Sequence, residues 1–110
     1  MFPWVAAYNG TVDVTYYGTA AASQDDPNAE WHVYFAQLNA GSFTQTQVNA
    51  APNHYGILDR LLLDDFQVAI NPQNSKAAII YVDDTLVTYS CPWNDPPVCP
   101  LPQSVLALQN

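Results

Sequence analysis

The strongest restriction on the fold comes from two alternating segments joined by Asn9-Gly10. Residues 11–18 alternate with the period of two that is typical of a β-strand, and residues 3–8 form a β-prone segment before them. Asn-Gly is the favoured centre of a two-residue hairpin turn, because both positions need a positive φ. The sequence therefore begins with a predicted β-hairpin. Asn9-Gly10-Thr11 also matches the N-glycosylation acceptor pattern, so Asn9 is a candidate glycosylation site as well.

The rest of the chain predicts further short strands and no long helix. Residues 20–29 are rich in turn formers and predict a loop. The strand pattern breaks over residues 49–65, where residues 58–65 fit either a helical turn or an irregular crossing. Turns are predicted at residues 39–42 and 72–75. The predicted strands lie at residues 30–38, 43–48, 66–71 and 76–82.

The second predicted hairpin echoes the first, which indicates an internal repeat. Four short strands in roughly sixty residues are the size of one β-propeller blade. The predicted fold class is thus all-β, with about one and a half four-stranded antiparallel propeller blades. Because propellers close with about four to eight blades, this length of chain cannot close one alone. A small β-sandwich is the alternative.

The charge balance argues against several classes of partner. Two basic residues stand against ten acidic ones, which gives a net charge of -8 and a pI near 4.1. Nucleic acids and anionic membranes are bound mainly through clustered Lys and Arg, so neither is a predicted partner. No apolar run is long enough to cross a bilayer, and residues 1–8 do not resemble a signal peptide. The polar, weakly charged composition favours an extracellular or cell-surface protein.

Cys91 and Cys99 flank a proline-rich stretch that suits neither a helix nor a central strand. We predict a disulfide that closes this small loop, with two free thiols as the alternative. A metal site is less favoured, because the spacing is wide and no histidine lies nearby.

Several segments resemble one known family when they are taken together. They are SQDDP at 23–27, EWHVYFAQ at 30–37, RLLLDDFQVAINP at 60–72 and IYVDD at 80–84. Their order and spacing resemble the C-terminal blades of secreted bacterial and archaeal sialidase-like propeller proteins, the exo-α-sialidase or BNR-repeat group. The likeness covers residues 2–85, so the chain divides into a blade segment at residues 1–85 and a proline-rich tail at 86–110.

The chain departs from this family in three respects. The segment between His54-Tyr55-Gly56 and Arg60 is shorter than the cysteine-containing loop expected there. Beyond Thr85 the proline-rich tail replaces the strands that should complete the second blade, and the Asp-box motif is absent. The resemblance implies an exo-α-sialidase that holds its substrate with three arginines and uses a tyrosine, a glutamate and an aspartate in catalysis. Because Arg60 is the sole arginine and Glu30 the sole glutamate, no catalytic residue is assigned.

Acidic and aromatic residues provide the remaining candidate sites. Aspartates at strand ends ordinarily bond turn backbone groups or face solvent. If they form a site, calcium suits them better than a glycosidase pair, and the candidate ligands are Asp64, Asp65, Asp83 and Asp84. A second calcium candidate consists of Asp25, Asp26 and Asn28. His32 is expected on a strand face as a packed or hydrogen-bonded core residue. Aromatic residues that would stack on a sugar, if they are not core, are Trp4, Tyr16, Tyr17, Trp31 and Tyr34.

Three functions are compatible with these features. The first is a non-catalytic segment of a sialidase-like propeller that serves as a structural or glycan-associated binding module. The second is part of a glycoside hydrolase that needs further blades for activity. The third is a free-standing secreted β-sandwich that acts as a binding module. The expected partners are glycans, further blades or other copies of the chain.

Overall fold

The computed structural model describes residues 2–58, 66–86 and 102–110. These residues form strands and turns, which confirms the all-β prediction. Across them there is no helix with the length and apolar character needed to cross a membrane. The strands are β1 Trp4–Tyr8, β2 Thr11–Thr19, β3 Glu30–Asn39, β4 Ser42–Gln47, β5 His54–Tyr55, β6 Gln67–Ile70, β7 Ala77–Asp83 and β8 Gln103–Leu108.

The strands form two antiparallel sheets. The first sheet has five strands in the order β1-β2-β3-β4, and β5 also pairs with β3. The second sheet has three strands in the order β6-β7-β8. Successive strands are therefore neighbours, which is the meander connection expected of a propeller blade and is also common in small sandwiches.

Two tight turns fix the register of the first sheet. Asn9 and Gly10 have φ values of 49° and 82°, as the Asn-Gly prediction requires. Ala40 and Gly41 repeat this geometry between β3 and β4, with φ values of 51° and 80°. The β3–β4 hairpin thus tolerates an alanine in the left-handed region, where side chains are disfavoured.

The two sheets pack face to face over a common core. We call the face that each sheet turns toward the other its inner face, and the opposite one its outer face. Between the inner faces, the rings of Tyr17 and Phe66 stack with centroids 4.2 Å apart and planes inclined at 21°. The other buried apolar side chains of this core are Trp31, Val33, Phe35, Val68, Ala77, Ile79 and Tyr81.

The sheets are closest at their first strands and separate toward their last ones. Strand β6 packs against β1 and β2. At the other end an open groove of about 310 Å³ lies between the sheets, with Phe35 and Thr46 on one side and Ile79 and Leu108 on the other. The two inner faces therefore form a wedge.

Strand β8 corrects one expectation from the sequence. It lies inside the segment predicted to be a proline-rich tail, yet it pairs with β7 from Ala78–Leu108 to Asp83–Gln103. Its residues alternate between exposed and half-buried positions. The prolines precede the strand and leave the backbone of residues 103–108 free to pair.

Gly18 makes room for the ring of Tyr34 on the outer face of the first sheet. A Cβ at position 18 would lie 2.6 Å from Cε2 of Tyr34. We therefore expect Gly18→Ala to destabilise the fold by about 1–3 kcal/mol through overpacking. In a Tyr34→Ala background the same change should be neutral or stabilising, because the alanine then only stiffens the strand. Urea unfolding of the four proteins measures this cycle, and equal costs in both backgrounds would contradict the contact.

Candidate functional site

A polar depression of about 420 Å³ opens at one end of the outer face of the first sheet. It lies where the β2–β3 loop, residues 20–29, runs beside the start of β3. Two carboxylates, two amides, an imidazole and a phenol reach it, from Asp26, Glu30, Asn28, Gln47, His32 and Tyr34.

The loop wall of the depression is held by short-range turn bonds. The Asp26 carboxylate accepts a hydrogen bond from the Asn28 amide N–H at 2.8 Å, and the Asp26 carbonyl accepts one from Ala29 at 3.1 Å. The Gly56 N–H donates to the Ala29 carbonyl at 2.8 Å, which ties the loop to the segment beyond β4. Asp26 and Asn28, which were proposed as calcium ligands, thus shape the loop.

One aromatic ring, that of Tyr34, lines the depression, and it is supported by its cross-strand neighbour Tyr16. Tyr34 stacks on Tyr16 with ring centroids 5.6 Å apart and planes inclined at 17°. The Tyr34 hydroxyl lies 3.5 Å from Oε1 of Gln47. Burial, and secondly the nearby Tyr34 phenol, raises the pKa of Tyr16, so its hydroxyl stays protonated at neutral pH. The ring of Tyr34 is therefore held in place before any ligand binds.

His32 and Gln47 complete the far wall. Nε2 of Gln47 donates to the Asn49 carbonyl at 2.7 Å and lies 3.2 Å from Nδ1 of His32. Nδ1 of His32 also lies 3.2 Å from the Asn49 carbonyl. Nδ1 of His32 can accept from Gln47, since the Asn49 carbonyl already receives the shorter bond from Gln47. His32 is thus hydrogen-bonded as expected, but it lies half-buried on the outer face and not in the core.

The predicted sugar-stacking aromatics do not form one surface. Tyr17 and Trp31 are 0% and 1% exposed in the core, and Trp31 Nε1 donates to the Gly56 carbonyl at 2.8 Å. Neither ring has a face available for a sugar, which corrects the prediction for these two residues. Trp4 is 46% exposed but aligns with Thr15 on the inner side of the sheet. Tyr34, with Tyr16 beneath it, is the candidate that lines the depression.

A buried polar pair that sequence analysis missed links the segment after β4 to the end of β7. His54 Nδ1 lies 2.7 Å from Oδ2 of Asp84, and His54 Nε2 lies 2.7 Å from the Ile57 carbonyl oxygen. Both ring nitrogens therefore face acceptors. Both side chains are buried, so each supplies the other with a polar partner inside the fold. The two residues are far apart in sequence, so no local motif indicates the contact.

Asp83 and Asp84 are the two described members of the predicted calcium site, and each is hydrogen-bonded to another residue of the chain. Asp84 bonds His54, and Oδ1 of Asp83 accepts from both the N–H and the hydroxyl of Thr85, at 2.9 and 2.6 Å. Within residues 2–58, 66–86 and 102–110 no group of three or more His, Cys, Asp or Glu side chains could hold a metal ion. Asp64 and Asp65 lie outside the described residues, as do Cys91 and Cys99 of the predicted disulfide. Asn9 is exposed at its turn, and its glycosylation stays a prediction.

Comparison of the chain with protein-family models, curated proteins and solved structures finds no match.

Loss of the Asp84 side chain should destabilise the fold. Asp84→Ala leaves the buried Nδ1 of His54 without its partner, and an unsatisfied buried polar group costs about 1–3 kcal/mol. Asp83→Ala is the matched control, because Asp83 is half-buried and, among the described residues, its carboxylate bonds Thr85 two positions away. Chemical denaturation should show a larger loss of stability for the Asp84 variant, and similar losses in both would contradict the buried hydrogen bond.

Asp13 is a buried carboxylate whose effect on the free energy of unfolding depends on pH. Its Oδ1 accepts from Nε2 of Gln37 at 2.9 Å, and among the described residues Oδ2 has no hydrogen-bond partner. Burial raises its pKa above the ordinary value of 3.8, and the Gln37 bond lowers it by less. The folded state therefore holds this proton more tightly than the unfolded chain. The stability that it contributes is full below pH 3.8 and is lost as the pH rises through the folded pKa.

We expect Asp13→Asn to be more stable than the parent at neutral pH, because the amide carries no charge to bury and its oxygen keeps the Gln37 bond. The advantage should shrink toward pH 3.8, where the parent carboxyl is protonated. Asp25→Asn in the exposed loop serves as the control and should leave stability nearly unchanged. Thermal unfolding across pH gives the difference, and an Asp13→Asn curve parallel to the parent's would refute the assignment.

Proposed function

We propose that this chain is a non-catalytic segment of a sialidase-like β-propeller, and that it serves as a structural and glycan-associated binding module. The observation that carries the proposal is the wedge between the two sheets. Strands β1 to β4 form one four-stranded meander, and β6 to β8 repeat its first three strands. Contact between the first strands, with a groove between the last ones, is the arrangement that radial packing of blades requires.

The polar depression supports the glycan-associated part of the proposal. Sugar sites combine an aromatic ring for the apolar face of a pyranose with a few fixed polar groups for its hydroxyls. Tyr34 supplies the ring, and Gln47, Asn28 and Glu30 supply hydrogen-bonding groups around it. The site therefore has the chemistry of a shallow carbohydrate site.

The charges of the depression favour a neutral sugar over a sialylated one. Asp26 and Glu30 both line it. Of the two basic residues, Lys76 lies beside the β6–β7 turn and Arg60 falls outside the described residues. A sialic acid carboxylate would meet two like charges there, and among the described residues no arginine lines the depression to pair with it. Neutral hexoses avoid this repulsion.

A small sandwich-type binding module is the second candidate. It is favoured by the single core shared by the two inner faces, which is how sandwiches pack. The depression is compatible with this architecture too, so the glycan prediction does not depend on the choice between them.

The glycan site is tested by titrating the purified ¹⁵N-labelled chain with neutral oligosaccharides and, in parallel, with sialyllactose. We expect the neutral sugars to shift amide signals of β3 and the β2–β3 loop, and sialyllactose to do so much less. Tyr34→Ala should weaken binding at least tenfold. Stacking on an aromatic ring is worth about 0.5–1.5 kcal/mol, and the loss of buried contact area between ring and sugar adds to this. Tyr34→Phe keeps the ring and should keep most of the affinity.

Two results would contradict the proposal. Equal binding by the parent and by Tyr34→Ala, or an absence of shifts with every sugar, would remove the glycan site. Turnover of a fluorogenic sialoside by the isolated chain would overturn the non-catalytic assignment, for which we expect background rates.

A further inference from the structure

We infer that Asn49 is a positioning residue of the glycan site, because its contacts hold the side-chain amide of Gln47 in one orientation. The N–H groups of Gln47 then face the protein, and its carbonyl oxygen faces the ligand. This inference rests on the proposed function, since the depression that Gln47 lines is the proposed glycan site. It goes further by giving a role to a residue outside that lining and by fixing which hydrogen bonds a sugar makes there.

Asn49 lies at the point where the chain leaves the first sheet after β4. The register pairs Tyr34 with Gln47, so the next positions along the two strands are Val33 and Val48. The Val48 N–H donates to the Val33 carbonyl at 2.8 Å, as in a regular ladder. The Val33 N–H, however, donates to Oδ1 of Asn49 at 2.8 Å, in the place of the Val48 carbonyl. The Asn49 side chain therefore closes the pairing, and its own backbone carbonyl is left for another partner.

The position of Asn49 is fixed from the interior of the fold. Its Nδ2 donates to the Ala51 carbonyl at 2.8 Å and to Oδ1 of Asn53 at 3.4 Å. Asn53 is fully buried, and its backbone N–H donates to the Trp31 carbonyl at 2.9 Å. The Asn53 side chain also donates to the Val82 carbonyl at 3.0 Å. Asn49 is thus held in place before any ligand binds.

The backbone carbonyl of Asn49 receives the amide of Gln47 on the outer face. Nε2 of Gln47 donates to this carbonyl at 2.7 Å and lies 3.2 Å from Nδ1 of His32, which can accept the second N–H. A primary amide has two N–H donors, so the protein engages both. Oε1 of Gln47 is consequently turned the other way, where the Tyr34 hydroxyl lies 3.5 Å from it. The Gln47 side chain therefore offers a ligand an acceptor and keeps its donors for the protein.

This orientation of Gln47 makes the site selective for sugar groups that donate. Asp26 and Glu30, when they are ionised, also act only as acceptors. A hydroxyl that donates to Oε1 of Gln47 satisfies that oxygen, whereas a group without a proton leaves it desolvated and unpaired. Fluorine is similar in size to a hydroxyl but does not donate, so replacing the contacting hydroxyl by fluorine should weaken binding by roughly tenfold.

The test is an NMR titration of the full ¹⁵N-labelled chain with lactose, cellobiose and their mono-deoxyfluoro derivatives. Gln47→Ala identifies the hydroxyl that meets Gln47, because fluorination at that position should have little effect in this variant. Asn49→Ala should lose discrimination at the same hydroxyl, whereas fluorination of hydroxyls that face Asp26 or Glu30 should keep its effect. In the double variant the Asn49 change should not weaken binding further, because Asn49 acts through Gln47.

A second readout uses the side-chain N–H signals of Gln47 and needs no sugar. The order parameter of this amide should be high in the parent and should fall in Asn49→Ala, where the amide is free to rotate. Asn74→Ala is the matched control. Oδ1 of Asn74 also accepts a backbone N–H, that of Lys76 at 3.0 Å, but it does so in the β6–β7 turn and does not line the depression. The control should leave both readouts unchanged.

The outcomes separate this inference from the proposed function. Circular dichroism verifies that each variant is folded, and Asn49→Ser replaces Asn49→Ala if the latter is not. Additive effects of the Asn49 and Gln47 changes, unchanged discrimination in the Asn49 variant, or a Gln47 amide as mobile in the parent as in that variant would each overturn the inference and leave the glycan site standing. A parent that binds neither lactose nor cellobiose would count against the glycan site and would overturn the inference with it.

Discussion

The contact between the inner faces at β1, β2 and β6 is the constraint on which the rest of the structure depends. Tyr17 and Phe66 stack there, and both rings are almost fully removed from water. Burial of each aromatic side chain of this size contributes about 1.5–3 kcal/mol. Once this end is closed, the short strands of the second sheet can only diverge from β3 and β4, which leaves the wedge and its groove.

The first sheet carries apolar residues on both faces, and this explains what its sequence pattern predicts and what it leaves open. On β2, Asp13 and Tyr17 belong to the buried side, while Val12 and Val14 lie half-buried on the outer side. The alternation of apolar and polar residues predicted the strand, and the Asn-Gly pair predicted its turn, because both depend on local backbone geometry. It could not decide which face is buried, since that depends on where Phe66 and the second sheet lie.

The features that sequence reasoning missed are all long-range. Strand β8 follows a proline-rich stretch, so its residues were predicted to be part of a tail. Its partner strand β7 is separated from it along the sequence by residues 87–101, which lie outside the described residues. The His54–Asp84 pair and the Asn53 side chain that donates to the Val82 carbonyl at 3.0 Å join segments about thirty residues apart. Tyr34 was among the aromatic candidates, but its neighbours in the depression come from a loop and two strands that only the folded register brings together.

The outer face of the first sheet divides into two chemically different halves. At the loop end, Glu30 and His32 surround Tyr34 with polar groups, whereas at the turn end Leu38 and Phe43 give an apolar surface. Tyr34 stands between the halves, supported by Tyr16 and by the space that Gly18 leaves. The division follows from strand alternation, because β3 presents one row of side chains to the core and the other row to this outer face. The loop of residues 20–29 brings polar groups to one end of that row, whereas the tight turn at Ala40-Gly41 leaves the other end to Leu38 and its cross-strand neighbour Phe43.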